Sequence, residues 1–177
     1  MFLSLIRQRR SVRKFMDKPV EKEKTDVLIE ALLRSPSSKG GNPWEFVVIT
    51  DKSLLEKLSR SKPHGSSFLK WAPMAFVICA DSNVDTWVED TSIAATFLQL
   101  TAESLDLGSC WVQIRGRMAN DETSSQNYIS DMLNIPEPLK IESIIAVGYP
   151  MERKPPHEKK SLNYSKIKLN SYTRQWL

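Results

Sequence analysis

The sequence is poor in the residue types that most often perform chemistry without a cofactor. It contains only two histidines, His64 and His157, so a histidine-based metal cluster or a catalytic triad would be difficult to build. The two cysteines, Cys79 and Cys110, lie in apolar stretches without metal-ligand spacing, and we expect them to be buried free thiols. No metal site is predicted. Any redox chemistry would have to come from a bound cofactor.

Long apolar runs are also missing, because none reaches the roughly 18 residues that a membrane span needs. The stretch Met1–Ile6 is too short for the apolar region of a signal peptide, so we expect a cytoplasmic protein that does not bind membranes. Hydrophobic residues make up 41% of the chain and charged residues 26%, which is typical of a folded domain. Basic residues concentrate in Arg7–Lys24 and Arg153–Lys168, and this distribution suits anionic ligands such as phosphate groups or nucleic acid.

Hydrophobic periodicity predicts helices interleaved with strands, which indicates an α/β or α+β fold. The predicted helices cover about residues 2–9, 23–34, 51–59, 88–105 and 124–133, and the predicted strands about 46–49, 74–80, 109–114 and 143–147. In the first helix we expect Leu3 and Ile6 to point inward. The helix over 88–105 is apolar on most sides and should be buried in the core or in a subunit interface. Gly108 is expected to stop it, and the continuous apolar run 46–49 predicts a buried strand.

The chain divides at about residue 150, where the composition shifts to Lys, Pro and Asn. Residues 151–177 lack a core of their own. They must either be disordered or cover another surface, for which they offer the apolar residues Leu162, Tyr164, Ile167, Tyr172, Trp176 and Leu177.

Four segments are candidates for binding chemistry, although each also has a plain structural interpretation. The basic box Arg9–Phe15 offers guanidinium and hydroxyl donors that match phosphate oxygens; otherwise it is a solvated basic face. The turn-rich loop Pro36–Trp44 and the strand Leu107–Ile114 could bring backbone groups close to a flat ligand; otherwise they are a connection and a core strand. The basic run His157–Lys160 is either a second phosphate contact or a solvated tail.

The order and spacing of these segments resemble the nitroreductase family of FMN-dependent NAD(P)H oxidoreductases. The box reads R-R-S-x-R-x-F at Arg9–Phe15, and a P-S-x-x-N-x-Q-P-W-x-F loop is matched by Pro36–Ser38 and Pro43–Phe46. A G-S-C-W turn follows within Asp106–Trp111, and a V-G-Y-P turn ends the last predicted strand at Val147–Pro150. The resemblance extends over essentially the whole chain.

Two segments, the loop and the tail, depart from the family pattern. Gly40 and Asn42 stand where the family usually has asparagine and glutamine in the loop. The tail lacks the usual K-x-R pair, for which Lys159 and Lys160 are the nearest candidates.

The resemblance implies an α+β nitroreductase-like fold, with a central, mostly antiparallel sheet flanked by helices and FMN bound at a homodimer interface. Residues 1–150 would form the FMN-binding domain, and the basic extension 151–177 would wrap the partner subunit. A hydride would pass from NADH or NADPH through flavin N5 to a small-molecule acceptor, such as a nitroaromatic or a quinone, by ping-pong turnover and without a catalytic side chain. The implied cofactor-binding residues are Arg9, Arg10, Ser11, Arg13, Pro36, Ser37, Ser38, Asn42, Trp111, Val112, Gln113, Lys159 and Lys160.

The sequence is also compatible with other functions. A specialised flavin enzyme of the same fold, such as a dehalogenase or a flavin-fragmenting enzyme, would need lids, for which Asn120–Tyr128 and Ser59–Leu69 are candidates. A flavin-binding protein without turnover is a further alternative. A nucleic-acid-binding module is disfavoured, because the basic ends lack a stacking platform or a recognition helix.

Overall fold

The computed structural model describes residues 2–176 and confirms the α+β class. Its α-helices are α1 (Phe2–Gln8), α2 (Lys22–Leu33), α3 (Lys52–Leu58), α4 (Trp87–Ser104) and α5 (Ser125–Leu133). Its strands are β1 (Trp44–Ile49), β2 (Met74–Asp81), β3 (Gly108–Gln113) and β4 (Leu139–Gly148). Two predicted helix starts have side-chain caps: Asp51 accepts a hydrogen bond from Leu54 N at 2.9 Å, and Ser124 Oγ accepts one from Asn127 N at 3.0 Å. Both satisfy backbone donors that a first turn leaves free.

The four strands form one sheet in the order β1-β2-β4-β3, and each neighbouring pair is antiparallel. A core lies on each face of this sheet. One core packs side chains such as Val77, Ile144 and Val112 against α3 and α5, and the other packs Phe76 and Ile145 against α2 and α4. The inner strands therefore alternate their side chains between two apolar layers, which explains why they read as continuous hydrophobic runs.

Two predictions about local structure are wrong, one for a strand and one for a glycine. Strand β1 is an edge strand, and only Trp44 and Ile49 of its six residues are buried. Gly108 does not stop α4: the helix ends at Ser104, and Asp106 takes the left-handed conformation with φ 60°. Gly108 is instead the first residue of β3.

Apolar side chains on α1 and α4 are exposed in the single chain. Leu3 and Ile6, predicted to point inward, are 62% and 48% exposed, so that prediction is wrong for the isolated chain. On α4, Ile93 and Phe97 are 38% and 39% exposed, whereas Ala94 and Leu98 are buried in the core. One face of α4 thus packs on the sheet and another meets solvent.

The C-terminal segment is ordered but lies on the surface. It contains two short 3-10 helices, Lys159–Ser161 and Tyr164–Lys166, and a bridge between Lys168 and Gln175. The predicted apolar anchors of this segment within the described residues are all exposed: Leu162, Tyr164, Ile167, Tyr172 and Trp176. The sixth, Leu177, lies outside the described residues.

The two predicted lid segments are attached to each other. Ser125 Oγ donates a hydrogen bond of 2.7 Å to Ser61 O, and both residues are fully buried. Both cysteines are free and buried as predicted, and burial raises the pKa of Cys79 to about 12. None of the helices within residues 2–176 combines the length and apolar character needed to cross a bilayer.

Candidate active site

The basic box follows α1 directly and runs beside the start of β3. Ser11 forms a parallel bridge with Ser109, and Val12 N donates a hydrogen bond of 2.9 Å to Ser109 O. Further along, Met16 N donates to Tyr149 O and Met151 N donates to Lys14 O, both at 2.9 Å. The box therefore joins the ends of β3 and β4 by its backbone, which leaves its long side chains free for other contacts.

Two buried side chains hold the box against the sheet, each facing a motif glycine. Val12 is 7% exposed, and a Cβ on Gly108 would stand 2.8 Å from Val12 Cβ. Phe15 is 4% exposed, and a Cβ on Gly148 would stand 3.1 Å from its ring and 2.5 Å from Pro73. Glycine at both positions allows a close approach that any larger residue would prevent. The glycines of the G-S-C-W and V-G-Y-P motifs are thus contact points for the R-R-S-x-R-x-F motif.

The polar side chains of the box form a cationic cluster. The guanidinium of Arg10 donates to the carbonyl of Pro155, and Lys154 Nζ donates to Ser11 O at 3.0 Å. Neither Arg9 nor Arg13 takes part in any of the ion pairs within the described residues. A cavity of about 670 Å³ is lined both by residues of the box and by residues that follow Pro150.

Sequence reasoning missed Lys154, which the fold brings to the box. Its position four residues after Pro150 of the V-G-Y-P turn, at the start of the basic segment Arg153–Lys168, could have marked it as a candidate. The predicted Lys159 and Lys160 lie instead on an exposed 3-10 helix, where Lys160 Nζ pairs with Glu158 at 2.8 Å. Their assignment to the phosphate stays a prediction that the single chain does not test.

Cys110, a buried residue of β3, lies within electrostatic reach of the cations of the box. Burial raises the pKa of this thiol, and the positive charges of Arg13, Lys154 and Arg9 oppose that rise. Positive charge therefore converges beside β3 at the point where the box crosses it. Cations with free guanidinium donors at the edge of a strand fit a phosphate group.

Strand β3 offers its free edge next to the box. Ser109 directs its carbonyl away from β4 toward Val12, and backbone groups alternate along a strand. The N–H groups of Trp111 and Gln113 therefore point out from the same edge. The Val112 side chain is fully buried in the core, so only its backbone can meet a ligand.

A polar network fixes the Gln113 amide. Trp111 Nε1 donates to Gln113 Oε1 at 2.9 Å, and Gln113 Nε2 donates to Glu142 Oε1 at 3.1 Å. Glu142 is 4% exposed, and its second carboxyl oxygen has no partner. Sequence reasoning missed Glu142 because it lies just before the predicted strand 143–147, in the part of β4 that also contains Lys140.

The Pro36–Trp44 loop is built differently from the box. Lys39, Gly40 and Asn42 all have positive φ, at 53°, 66° and 46°. Asn42 is used within the loop: its Oδ1 accepts from Ser37 Oγ at 2.6 Å, and its N–H donates to Ser37 Oγ at 2.9 Å. Pro36 and Ser38 are exposed and Ser37 is half-buried.

One buried carboxylate attaches this loop to α4. Asp90, which is 2% exposed, accepts from Ser38 N at 2.9 Å and from Thr86 Oγ1 at 3.0 Å. The sequence did not mark Asp90 because it stands in the first turn of α4 next to Glu89, among the polar residues at the start of the helix.

The loop and the box lie at opposite corners of the sheet. The loop precedes Trp44, which pairs with Ala80 on edge strand β1, and the box meets Ser109 on edge strand β3. Ser109 pairs with Val147, which pairs with Met74 at the other end of β2. Strand spacings of about 4.8 Å and a rise of about 3.3 Å per residue put these corners roughly 25 Å apart. One chain therefore cannot bring both segments to the same flat ligand.

Comparison with known proteins agrees with this architecture. A sequence profile of the nitroreductase family matches residues 6–63 and 60–149. The solved structure of an FMN-dependent nitroreductase from Clostridium difficile R20291 superposes with a TM-score of 0.94 at 44% identity, covering 96% of this chain and 99% of that one.

Two curated relatives are also similar. A Methanothermobacter thermautotrophicus protein whose name combines NADH dehydrogenase and NAD(P)H nitroreductase is 35% identical over 85% of this chain and 78% of its own length. The FMN reductase [NAD(P)H] of Bacillus subtilis is 26% identical over 91% of this chain and 72% of its own length. With the fold, the motif contacts and these matches together, the chain belongs to the nitroreductase family.

Proposed function

We propose that this protein is an FMN-dependent oxidoreductase that transfers a hydride from NADH or NADPH to a small-molecule acceptor. The proposal is supported by family membership and by relatives that are named as an FMN-dependent nitroreductase and an FMN reductase. The observation that carries it is the position of the box: Ser11 bridges Ser109 on edge strand β3, and neither Arg9 nor Arg13 has an ion-pair partner among the described residues.

The residues of the box and of β3 fit the two ends of FMN. Arg9 and Ser11, with Lys154 beside them, would hold the phosphate by charge-assisted hydrogen bonds. Arg13 would face the pyrimidine edge, where a fixed positive charge stabilises negative charge on the ring. The N–H groups on the free edge of β3, at Trp111 and Gln113, would serve as donors to the ring.

FMN, when bound, supplies the hydride chemistry. The protein contributes binding, orientation and a positive field, and no side chain acts as acid, base or nucleophile. Because donor and acceptor would use one face of the same ring, they would occupy the site in alternation. We propose a nitroaromatic compound, a quinone or a similar molecule as the acceptor, and a cytoplasmic location for the reaction.

We further propose that the active form is a homodimer with FMN at the interface. The loop Pro36–Trp44 can reach the box only from a second copy, since about 25 Å separates the two within one chain. The exposed apolar side chains of α1 and α4, among them Leu3 and Phe97, would be covered by that copy. The surface segment 151–176 would wrap the partner through its exposed aromatic residues.

The visible spectrum of the purified protein tests the proposal. We expect flavin absorption that is retained on desalting and that NADH or NADPH bleaches under anaerobic conditions. Reoxidation by menadione or a nitroaromatic compound should restore the absorption. A colourless protein that takes up no added FMN would overturn the assignment, and a yellow protein that neither donor reduces would indicate binding without turnover.

A further inference from the structure

A larger groove lies next to the 670 Å³ cavity, and the two share Glu152 and Lys154 in their linings. It has a volume of about 900 Å³ and an apolar floor that includes Phe15, Leu55 and Ala72. Its volume falls in the range of sites for small-molecule ligands, roughly 300–1,000 Å³. Arg13 lines this groove and also belongs to the box, so a ligand in the groove would lie next to the proposed cofactor site.

The charge of the groove is unbalanced. Five basic and two acidic residues line it. The acidic residues are already paired, Asp17 with Lys52 at 3.8 Å and Glu152 with Lys154 at 3.4 Å. The groove therefore has an excess of three positive charges, which favours an anionic occupant.

The excess charge lies beside an exposed aromatic ring. Arg13, Lys14 and Lys70 take part in no ion pair within the described residues. Trp71 is 60% exposed at the groove, with Lys70 Nζ 4.3 Å from its ring centroid. A large exposed indole next to cations that have no ion-pair partner among the described residues is the combination that stacks a planar base and holds its phosphates.

We propose that this groove binds an adenosine phosphate, with the base on Trp71 and the phosphate groups at Lys14 and Lys70. The inference rests on the proposed function, because NAD(P)H carries this group at the end remote from the nicotinamide. A free adenine nucleotide carries the same base and phosphate groups, so the ligand could be either NAD(P)H or a free nucleotide, and kinetics with two electron donors distinguish them.

Charge argues against the alternative occupant, the C-terminal segment of a second copy. Residues 158–176 contain five basic residues and one acidic residue. A basic segment would meet unpaired cations in the groove, and like charges brought together are unfavourable.

Calorimetric titration of the FMN-loaded protein with ADP tests the site itself. We expect ADP to bind the natural protein, and Trp71→Ala to weaken binding roughly ten-fold or more, since aromatic stacking of a base is a large contribution. Trp71→Phe should restore most of the affinity. Lys70→Gln should weaken binding roughly three- to ten-fold, whereas Lys57→Gln, the same change at an exposed lysine outside the groove, should leave ADP affinity unchanged.

Steady-state kinetics then identify the source of the ligand. Trp71→Ala should raise the KM for NADH roughly ten-fold more than the KM for reduced nicotinamide mononucleotide, which lacks the adenosine phosphate. If ADP binds at Trp71 but this difference is missing, the groove takes a free adenine nucleotide and its link to the donor is wrong. If ADP does not bind, or binds the Trp71→Ala variant equally well, the proposed site is wrong. FMN content and oxidation of the mononucleotide report separately on the proposed function.

Discussion

The box Arg9–Phe15 and the loop Pro36–Trp44 are two walls of one proposed site, yet they are held in different ways. The box is fixed by buried apolar side chains, Val12 and Phe15, and by backbone bonds to two strands. Up to the start of β1 at the buried Trp44, the loop is fixed by polar contacts, through Asp90 and the Ser37–Asn42 pair, and it contains three residues with positive φ.

This difference indicates that the box and the loop contribute to the proposed site in different ways. Apolar anchoring makes the box part of the core, so its cations are presented from a rigid support. Polar anchoring leaves the loop at the surface of its own chain, where a second copy would complete the site. We therefore expect changes in the box to affect the single chain and changes in the loop to act mainly through the assembled site.

The largest effect is expected from removing the two free cations of the box. The double variant Arg9→Ala/Arg13→Ala should weaken FMN binding by roughly 2–4 kcal/mol, because charge-assisted hydrogen bonds contribute roughly 1.5–3 kcal/mol each and do not add fully. Fluorescence titration of the apoprotein with FMN measures this loss. The control Lys57→Ala/Arg60→Ala removes two exposed positive charges outside the site. Unchanged FMN affinity in the box variant would show that the box does not hold the cofactor.

A comparison of two glycines tests the apolar anchoring directly. Gly108→Ala would place a Cβ 2.8 Å from Val12 Cβ, and the resulting overpacking should lower the free energy of unfolding by about 1–3 kcal/mol. In the loop, Gly41→Ala meets only Ser38 O at 3.3 Å, so a change below about 1 kcal/mol is expected. Urea denaturation of both apoproteins measures the difference. Equal losses would contradict the distinction between the two walls.

The polar anchor of the loop should show a smaller effect. Asp90→Asn replaces one acceptor oxygen by an amide group that cannot satisfy its donor, either Ser38 N or Thr86 Oγ1. The cost should be about 1–2 kcal/mol of stability, measured by urea denaturation beside the exposed control Asp26→Asn. If the loop completes the site from a second copy, FMN affinity should fall as well. Loss of stability without loss of FMN would remove the loop from the site.

Most of the secondary structure followed from the sequence because local signals agreed with the final environment. The cap residues Asp51 and Ser124 begin their helices as local chemistry predicts. The prediction for Gly108 was wrong because a glycine after a helix can either end the helix or allow another segment to pack closely against the backbone. At Gly108 the second role applies, since Val12 packs against it. The apolar run of β1 could not reveal an edge strand, since strand order is set by pairing with distant segments.

The site shows the same division between local and tertiary information. Arg9, Ser11 and Arg13 could be predicted as candidate site residues because their motif is contiguous. Lys154 and Glu142 were missed, because each reaches its partner only after β4 has paired and the chain has turned back past Pro150. The groove at Trp71 could not be predicted from the sequence for the same reason, because four separate stretches of the chain line it.

The sequence alone determined the family, the cofactor class and the cationic character of the box, because these depend on residue types in a fixed order along the chain. Only the tertiary structure decided what those residues face. It placed Val12 on Gly108 and Phe15 on Gly148, and so joined three motifs that are far apart in sequence. It also set the box and the Pro36–Trp44 loop at opposite corners of one sheet. Antiparallel pairing fixes that separation, and no spacing along the chain encodes it.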